Sequence, residues 1–111
     1  MKKWDNYRSD LANKSFDAII IGSGIGGLTS AALLALNGQR VLVLEKHFKI
    51  GGWTHTFRRN NYEWDVGIHY IGEVHKPWSA VRRLFDLVSD SQLKWSPMDA
   101  NYDRIIFPDQ A

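Results

Sequence analysis

The sequence contains no cysteine. That excludes a disulfide framework, a thiolate metal site and a redox Cys-x-x-Cys pair, and it fits a reducing compartment. It also lacks a long apolar run: no stretch approaches the ~20 residues needed to span a bilayer. The first fifteen residues carry Lys2 and Lys3 but no apolar segment behind them, so they do not form a secretory signal. Charge of one sign is lacking too. Fourteen basic and twelve acidic residues give a net charge of +2, and the basic residues are scattered. Neither a nucleic-acid groove nor a polybasic membrane patch is therefore expected. His47, His55 and His75 show no ligand spacing, so no metal site is expected. A cytoplasmic protein is the first reading. Trp4, Tyr7 and Leu11 share a helical face in residues 1–15, but a stripe three residues wide suits a leader packed on the domain better than a membrane-touching helix.

What is present is ordinary for a globular domain. The 111 residues are 44% hydrophobic and 23% charged, which is enough apolar material for a core and too little charge for disorder. A chain of this size buries about 65% of its unfolded surface.

Ala18 to Ile21 is a short, β-branched, apolar run that ends at Gly22. A strand apolar on both faces suits a parallel sheet covered by helices. Leu28 to Leu36 reads as helix, with no proline or internal glycine, and Asn37-Gly38 supplies a glycine stop. Val41 to Leu44 is a second buried strand, with Glu45 at its end. Strand, turn, helix and strand make one βαβ unit with a right-handed crossover. Beyond Gly51-Gly52 the texture becomes aromatic and β-branched. Trp53 to Arg59 and Tyr62 to Ile68 flank Asn60-Asn61, which predicts a hairpin with a two-residue turn. Pro77 is expected to open a helix bearing Trp78, Val81, Leu84, Phe85 and Val88 on its apolar side. Tyr102 to Phe107 predicts a further strand. The five tryptophans are expected in the core and the hairpin.

The turn Gly22-x-Gly24-x-x-Gly27 matches the dinucleotide pattern. Gly22 permits the sharp turn, Gly24 lets a pyrophosphate reach the backbone, and Gly27 lets helix and sheet approach. Phosphates would then meet the free N–H groups at the helix start. Glu45 stands near the ~20-residue spacing expected of the acid that binds the adenosine ribose, and it would repel a 2′-phosphate. Gly51-Gly52 implies backbone passing close to something, or a bend.

The run IIIGSGIGGLTSAALLALNGQRVLVLEKHFKIGG, followed by THTF and YEWDVGIHYIG, resembles the FAD-dependent phytoene desaturase, carotenoid isomerase and retinol saturase family of amine-oxidase-like flavoproteins. The resemblance covers just over half the chain, and residues 102–109 are similar to the start of that family's substrate-domain strands. It implies an FAD-dependent oxidoreductase acting on a carotenoid, retinoid or similar lipophilic polyene. Carried over by position, Gly22, Gly24 and Gly27, with Ile25 and Gly26 between them, form the pyrophosphate turn. Glu45 is the ribose acid, with Lys46 beside it, and Gly51, Gly52 and Thr54 lie along the dinucleotide. Asp65, Gly67 and His69 match the motif after the hairpin, without an assigned chemical step, and no catalytic residue is assigned.

The expected architecture is α/β: a leader at 1–15, a Rossmann-like FAD/NAD(P)-binding unit with its hairpin at 16–72, and at 73–111 a helix with the first strand of a substrate domain. Two parallel strands are too few for a Rossmann-type sheet, so the domain is read as incomplete, the N-terminal part of a longer enzyme and inactive alone. An NAD-dependent dehydrogenase domain and a non-catalytic remnant are the alternatives. The aromatic hairpin counts against the former, because a plain Rossmann domain would continue into another helix and parallel strand.

Overall fold

Two four-residue apolar strands set the frame: β1 (Ala18–Ile21) and β2 (Val41–Leu44). They pair in parallel, with Ala18 opposite Val41 and Ile21 opposite Leu44. The computed structural model describes residues 9–108. The chain divides into two compact units, Met1–Tyr70 and Ile71–Ala111.

In the first unit a 3₁₀ turn at Ser9–Asn13 precedes β1. Trp4, Tyr7 and the side chain of Leu11 lie outside the described residues, and with them the expected leader stripe. The entry to the sheet is pinned by Asp17 and Arg40. The Arg40 N–H donates to the Asp17 carboxylate at 2.7 Å, and the Asp17 N–H donates to the Arg40 carbonyl at 2.9 Å. Between the strands runs α1 (Ile25–Leu36), which packs on both of them. It begins three residues before the expected Leu28, because Gly26 and Gly27 take helical conformation as its first turn. It ends at Asn37, and Gly38 at φ +82° turns the chain back. Ala31 is buried where α1 meets the sheet.

The strands are not covered on both sides as their composition suggests. Along β1 the residues alternate, and Ile19 and Ile21 are 57% and 88% exposed. The helix covers one face only, and in β2 every residue is half-buried.

After β2 a 3₁₀ turn at Gly52–Thr54 leads into the hairpin of β3 (Thr56–Arg59) and β4 (Tyr62–Asp65). These pair antiparallel around Asn60-Asn61, with Arg59 opposite Tyr62, and Asn60 sits at φ +54° as the two-residue turn requires. The regular strands are shorter than the expected 53–59 and 62–68, because Gly52 to Thr54 winds into the turn. The same register nevertheless continues, with Val66 N–H donating to the His55 carbonyl and Ile68 N–H to that of Trp53.

In the second unit α2 (Ala80–Val88) begins three residues after Pro77, where Ser79 caps it by accepting from the Arg82 N–H at 3.1 Å. Trp78 therefore lies before the helix and is 76% exposed. Arg82 bridges to Asp86 one turn on at 2.8 Å and donates to the Val74 carbonyl, closing the loop that buries Val74. Phe85 meets Trp95 edge-on at 5.2 Å between ring centroids. Trp53 and Trp64 belong to the hairpin segment, as expected, though both are more than half exposed, and Trp78 lies in neither core nor hairpin. The strand expected at Tyr102 to Phe107 is not formed, and these residues run as exposed irregular chain.

Candidate nucleotide-binding site

The site assembles where β1 gives way to α1. Gly22 takes φ +96°, a conformation that residues with a β-carbon rarely adopt, and its N–H still pairs with the Leu44 carbonyl at 2.7 Å. The chain therefore turns sharply without leaving the sheet. Gly27 lies on the first turn of α1, against that bend. A β-carbon there would come within 2.2 Å of the Gly22 carbonyl oxygen. Glycine is what allows the helix to sit so close to the strand. Gly24 and Gly26 differ: a β-carbon at either would meet nothing within 4 Å. The space beside both glycines, at the start of α1, is open. That helix start carries no acidic residue in its first turn and no side-chain cap at Gly24, so its leading N–H groups are left for an anion.

The Gly51-Gly52 segment closes the other wall. Gly51 is buried at φ +115° and bridges in parallel to Gly24. A β-carbon on Gly52 would lie 3.0 Å from the Gly24 Cα. What passes close to these two glycines is thus the pyrophosphate-type turn itself. Thr54 donates its hydroxyl to the Gly51 carbonyl at 2.6 Å and so braces this turn from within. His55 contacts the Gly52 carbonyl through Nδ1 at 2.6 Å.

Glu45 follows β2 directly, and its carboxylate reaches back across the loop. Oε2 accepts from both the backbone N–H and the hydroxyl of Ser23, at 2.8 and 2.6 Å, and Oε1 accepts from the His47 N–H at 2.8 Å. The Ser23 hydroxyl, then the His47 and Ser23 N–H groups, hold the Glu45 carboxyl at about 2 against an ordinary 4.5. The carboxylate is therefore charged and held in place at the mouth of the turn. Ser23 is only 1% exposed, and its hydroxyl also accepts from the Gly51 N–H at 3.1 Å. It thereby links the glycine turn, the end of β2 and the Gly51-Gly52 segment. Reading the sequence passes over Ser23, because the dinucleotide pattern leaves that position free. A hydroxyl residue between Gly22 and Gly24, with an acid at the end of the next apolar run, was the signal available.

The remaining expected positions are more peripheral. Ile25 and Lys46 are exposed at the rim. Gly67 lies beneath the Trp53 indole, so that a β-carbon there would come within 2.3 Å of the ring. His69 pairs with Asp65 at 3.5 Å on an exposed part of the hairpin. Among the described residues no group of three His, Asp or Glu side chains is placed to hold a metal ion, and no helix is long and apolar enough to cross a membrane.

Residues 20–87, which take in the end of β1, the glycine turn, α1 and the acid-tipped β2, match a family described as the NAD(P)-binding Rossmann-like domain. The chain belongs to that family. Among curated relatives, this Rossmann-like chain is 50% identical over 93 residues to an all-trans-retinol 13,14-reductase of Rattus norvegicus, covering 84% of this chain and 15% of that protein. It is 47% identical over 95 residues to the all-trans-retinol 13,14-reductase of Danio rerio, again 84% of this chain and 15% of the relative. It is 54% identical over 54 residues to prolycopene isomerase 2, chloroplastic, of an Oncidium hybrid cultivar, 49% of this chain and 9% of that protein. These likenesses place the Rossmann-like unit in the retinol saturase and carotenoid isomerase group. The chain spans about a sixth or less of the length of these relatives.

Proposed function

We propose that this chain supplies the adenosine and pyrophosphate grip for FAD in an oxidoreductase acting on a retinoid, carotenoid or similar lipophilic polyene. The observation that carries the reading is the pairing of an open glycine turn with a locked carboxylate. Gly24 and Gly26 leave room above an uncapped helix start, and Glu45 stands charged beside it. In this arrangement the first-turn N–H groups of α1 receive the pyrophosphate, and the dipole of the helix favours the charge. Glu45 receives a ribose hydroxyl through its remaining acceptor capacity, since an ionised carboxylate offers about four lone-pair sites. Its fixed negative charge disfavours a 2′-phosphate, which points away from NADP. Gly51, Gly52 and Thr54 form the wall along the dinucleotide, and Ile25 and Lys46 its rim.

The preference for FAD over NAD is supported by the hairpin that follows Gly52 and by the relatives' named activities on retinol and prolycopene. Bound flavin supplies hydride transfer, and the chain's part is to hold and orient it. The substrate class rests on the same relatives.

The test is the absorbance spectrum of the purified protein, followed by calorimetric titration with FAD and with NAD. A flavin band, or FAD binding that NAD does not displace, supports the proposal. NAD binding without FAD binding overturns the choice of flavin.

A further inference from the structure

Ser23 belongs to no assigned role in the site, yet it is the most buried polar residue described in the molecule. Its hydroxyl both gives and receives: it donates to Glu45 Oε2 at 2.6 Å and accepts from the Gly51 N–H at 3.1 Å. Its backbone N–H donates to the same carboxylate oxygen at 2.8 Å. This buried residue, together with the His47 N–H, therefore fixes where the Glu45 charge stands.

We infer that Ser23 is a specificity-determining positioning residue, which clamps Glu45 so that the site accepts a nucleotide with a free ribose diol and rejects its 2′-phosphate. The inference rests on the dinucleotide reading given above. A glutamate with a free side chain at a strand end can swing aside when a phosphate approaches. Glu45 does so only by giving up two hydrogen bonds from Ser23 and one from His47. Leaving the buried Ser23 donors without a partner is costly, so the carboxylate stays and its repulsion acts in full. Oε2 accepts two hydrogen bonds from Ser23 and Oε1 only one from His47, which leaves Oε1 the oxygen with acceptor capacity to spare. The titratable neighbours on the same segment are Lys46 and His47, and the groups that hold the Glu45 carboxyl low are hydrogen-bond donors of Ser23, His47 and Lys46. The Gly51 anchor survives loss of the hydroxyl, because the Gly51 N–H also donates to the Ser23 carbonyl at 3.1 Å. Removing the hydroxyl therefore loosens the carboxylate more than it loosens the wall.

Two readouts test this in the full chain. The first is the titration of the Glu45 carboxyl by carbon-detected NMR without nucleotide, in the wild type and in Ser23→Ala and Ser23→Thr. The second is the ratio of affinities for ADP-ribose and its 2′-phosphate in the same proteins. The expected result is a Glu45 midpoint near 2 in the wild type, moving toward 4.5 in Ser23→Ala and returning in Ser23→Thr. The affinity ratio should narrow about fivefold in Ser23→Ala, the size of a close charge–charge repulsion in water. A wild-type midpoint at 4.5 overturns the clamp without recourse to any variant. An unchanged ratio in a folded Ser23→Ala protein overturns the specificity role. A wild type that binds neither ligand overturns the nucleotide reading itself and the specificity role with it, while the carboxyl titration still separates a clamped Glu45 from a free one.

Discussion

A β-carbon placed on Gly27 falls 2.2 Å from the carbonyl oxygen of Gly22, whereas one placed on its neighbour Gly26 meets nothing within 4 Å. Both residues lie in the first turn of α1, so replacing either by alanine gains up to about 1 kcal/mol of helix propensity. At Gly26 that gain stands. At Gly27 it is outweighed, because a backbone oxygen cannot rotate away and the helix must shift off the strand, at about 1–3 kcal/mol. Urea unfolding should show Gly26→Ala equal to or more stable than wild type and Gly27→Ala less stable. The opposite order would refute the close approach.

Gly24 separates folding from binding. Its φ of −64° suits any residue, and a β-carbon there points into open space. Gly24→Ala should unfold at the wild-type midpoint or slightly above it, since alanine lowers the entropy of the unfolded chain. FAD affinity should fall roughly tenfold to a hundredfold, because the methyl group occupies the phosphate's place. Unchanged affinity in calorimetry would move the pyrophosphate away from this turn.

Acid should weaken the fold partly through Glu45. A carboxyl lowered from 4.5 to about 2 stabilises the folded state fully above pH 4.5, and that contribution is lost as pH falls toward 2. Glu63, beside Arg58, and Glu73, beside Lys76, are also lowered and act in the same sense. The reading therefore lies in the difference between wild type and Glu45→Gln. Their stabilities should converge between pH 4.5 and 2, and parallel acid limbs would show that the carboxylate is not held by Ser23.

Ser79 governs the start of α2. Its hydroxyl accepts from the Arg82 N–H and donates to the Glu73 carbonyl at 2.9 Å. Ser79→Ala should cost about 1 kcal/mol, typical of a lost N-cap. Faster amide exchange at Arg82, with α1 unaffected, is the expected signature.

The βαβ unit was legible because its parts are local. Ala18 to Ile21 and Val41 to Leu44 are apolar runs bounded by glycine or by charge, and the strands form where those runs lie. Other features depend on partners that periodicity does not name. Tyr102 to Phe107 is rich in aromatic and β-branched residues as strands are, but a strand exists only with a paired neighbour, and none is formed there. Trp78 has the spacing of a helical residue and falls outside α2, because Ser79 caps the helix after it. Ile19 and Ile21 read as interior and stand exposed, since α1 covers one face of β1. In the site, the glycines announce themselves through their spacing. Ser23 does not, because its contacts with Glu45 and Gly51 span 22 and 28 residues of sequence.

That long span has a kinetic consequence. The hairpin closes over the two residues Asn60 and Asn61, an event of about 1–10 μs in isolated hairpins. The Ser23–Gly51 link closes over 28 residues, and contacts distant in sequence carry the larger loop-closure entropy. The nucleotide cradle is therefore expected to form after the hairpin. The Gly51 amide, shared between the carbonyl and hydroxyl oxygens of Ser23, is its natural clock: its hydrogen-exchange rate reports how often the cradle opens, and a nucleotide that closes the cradle slows it.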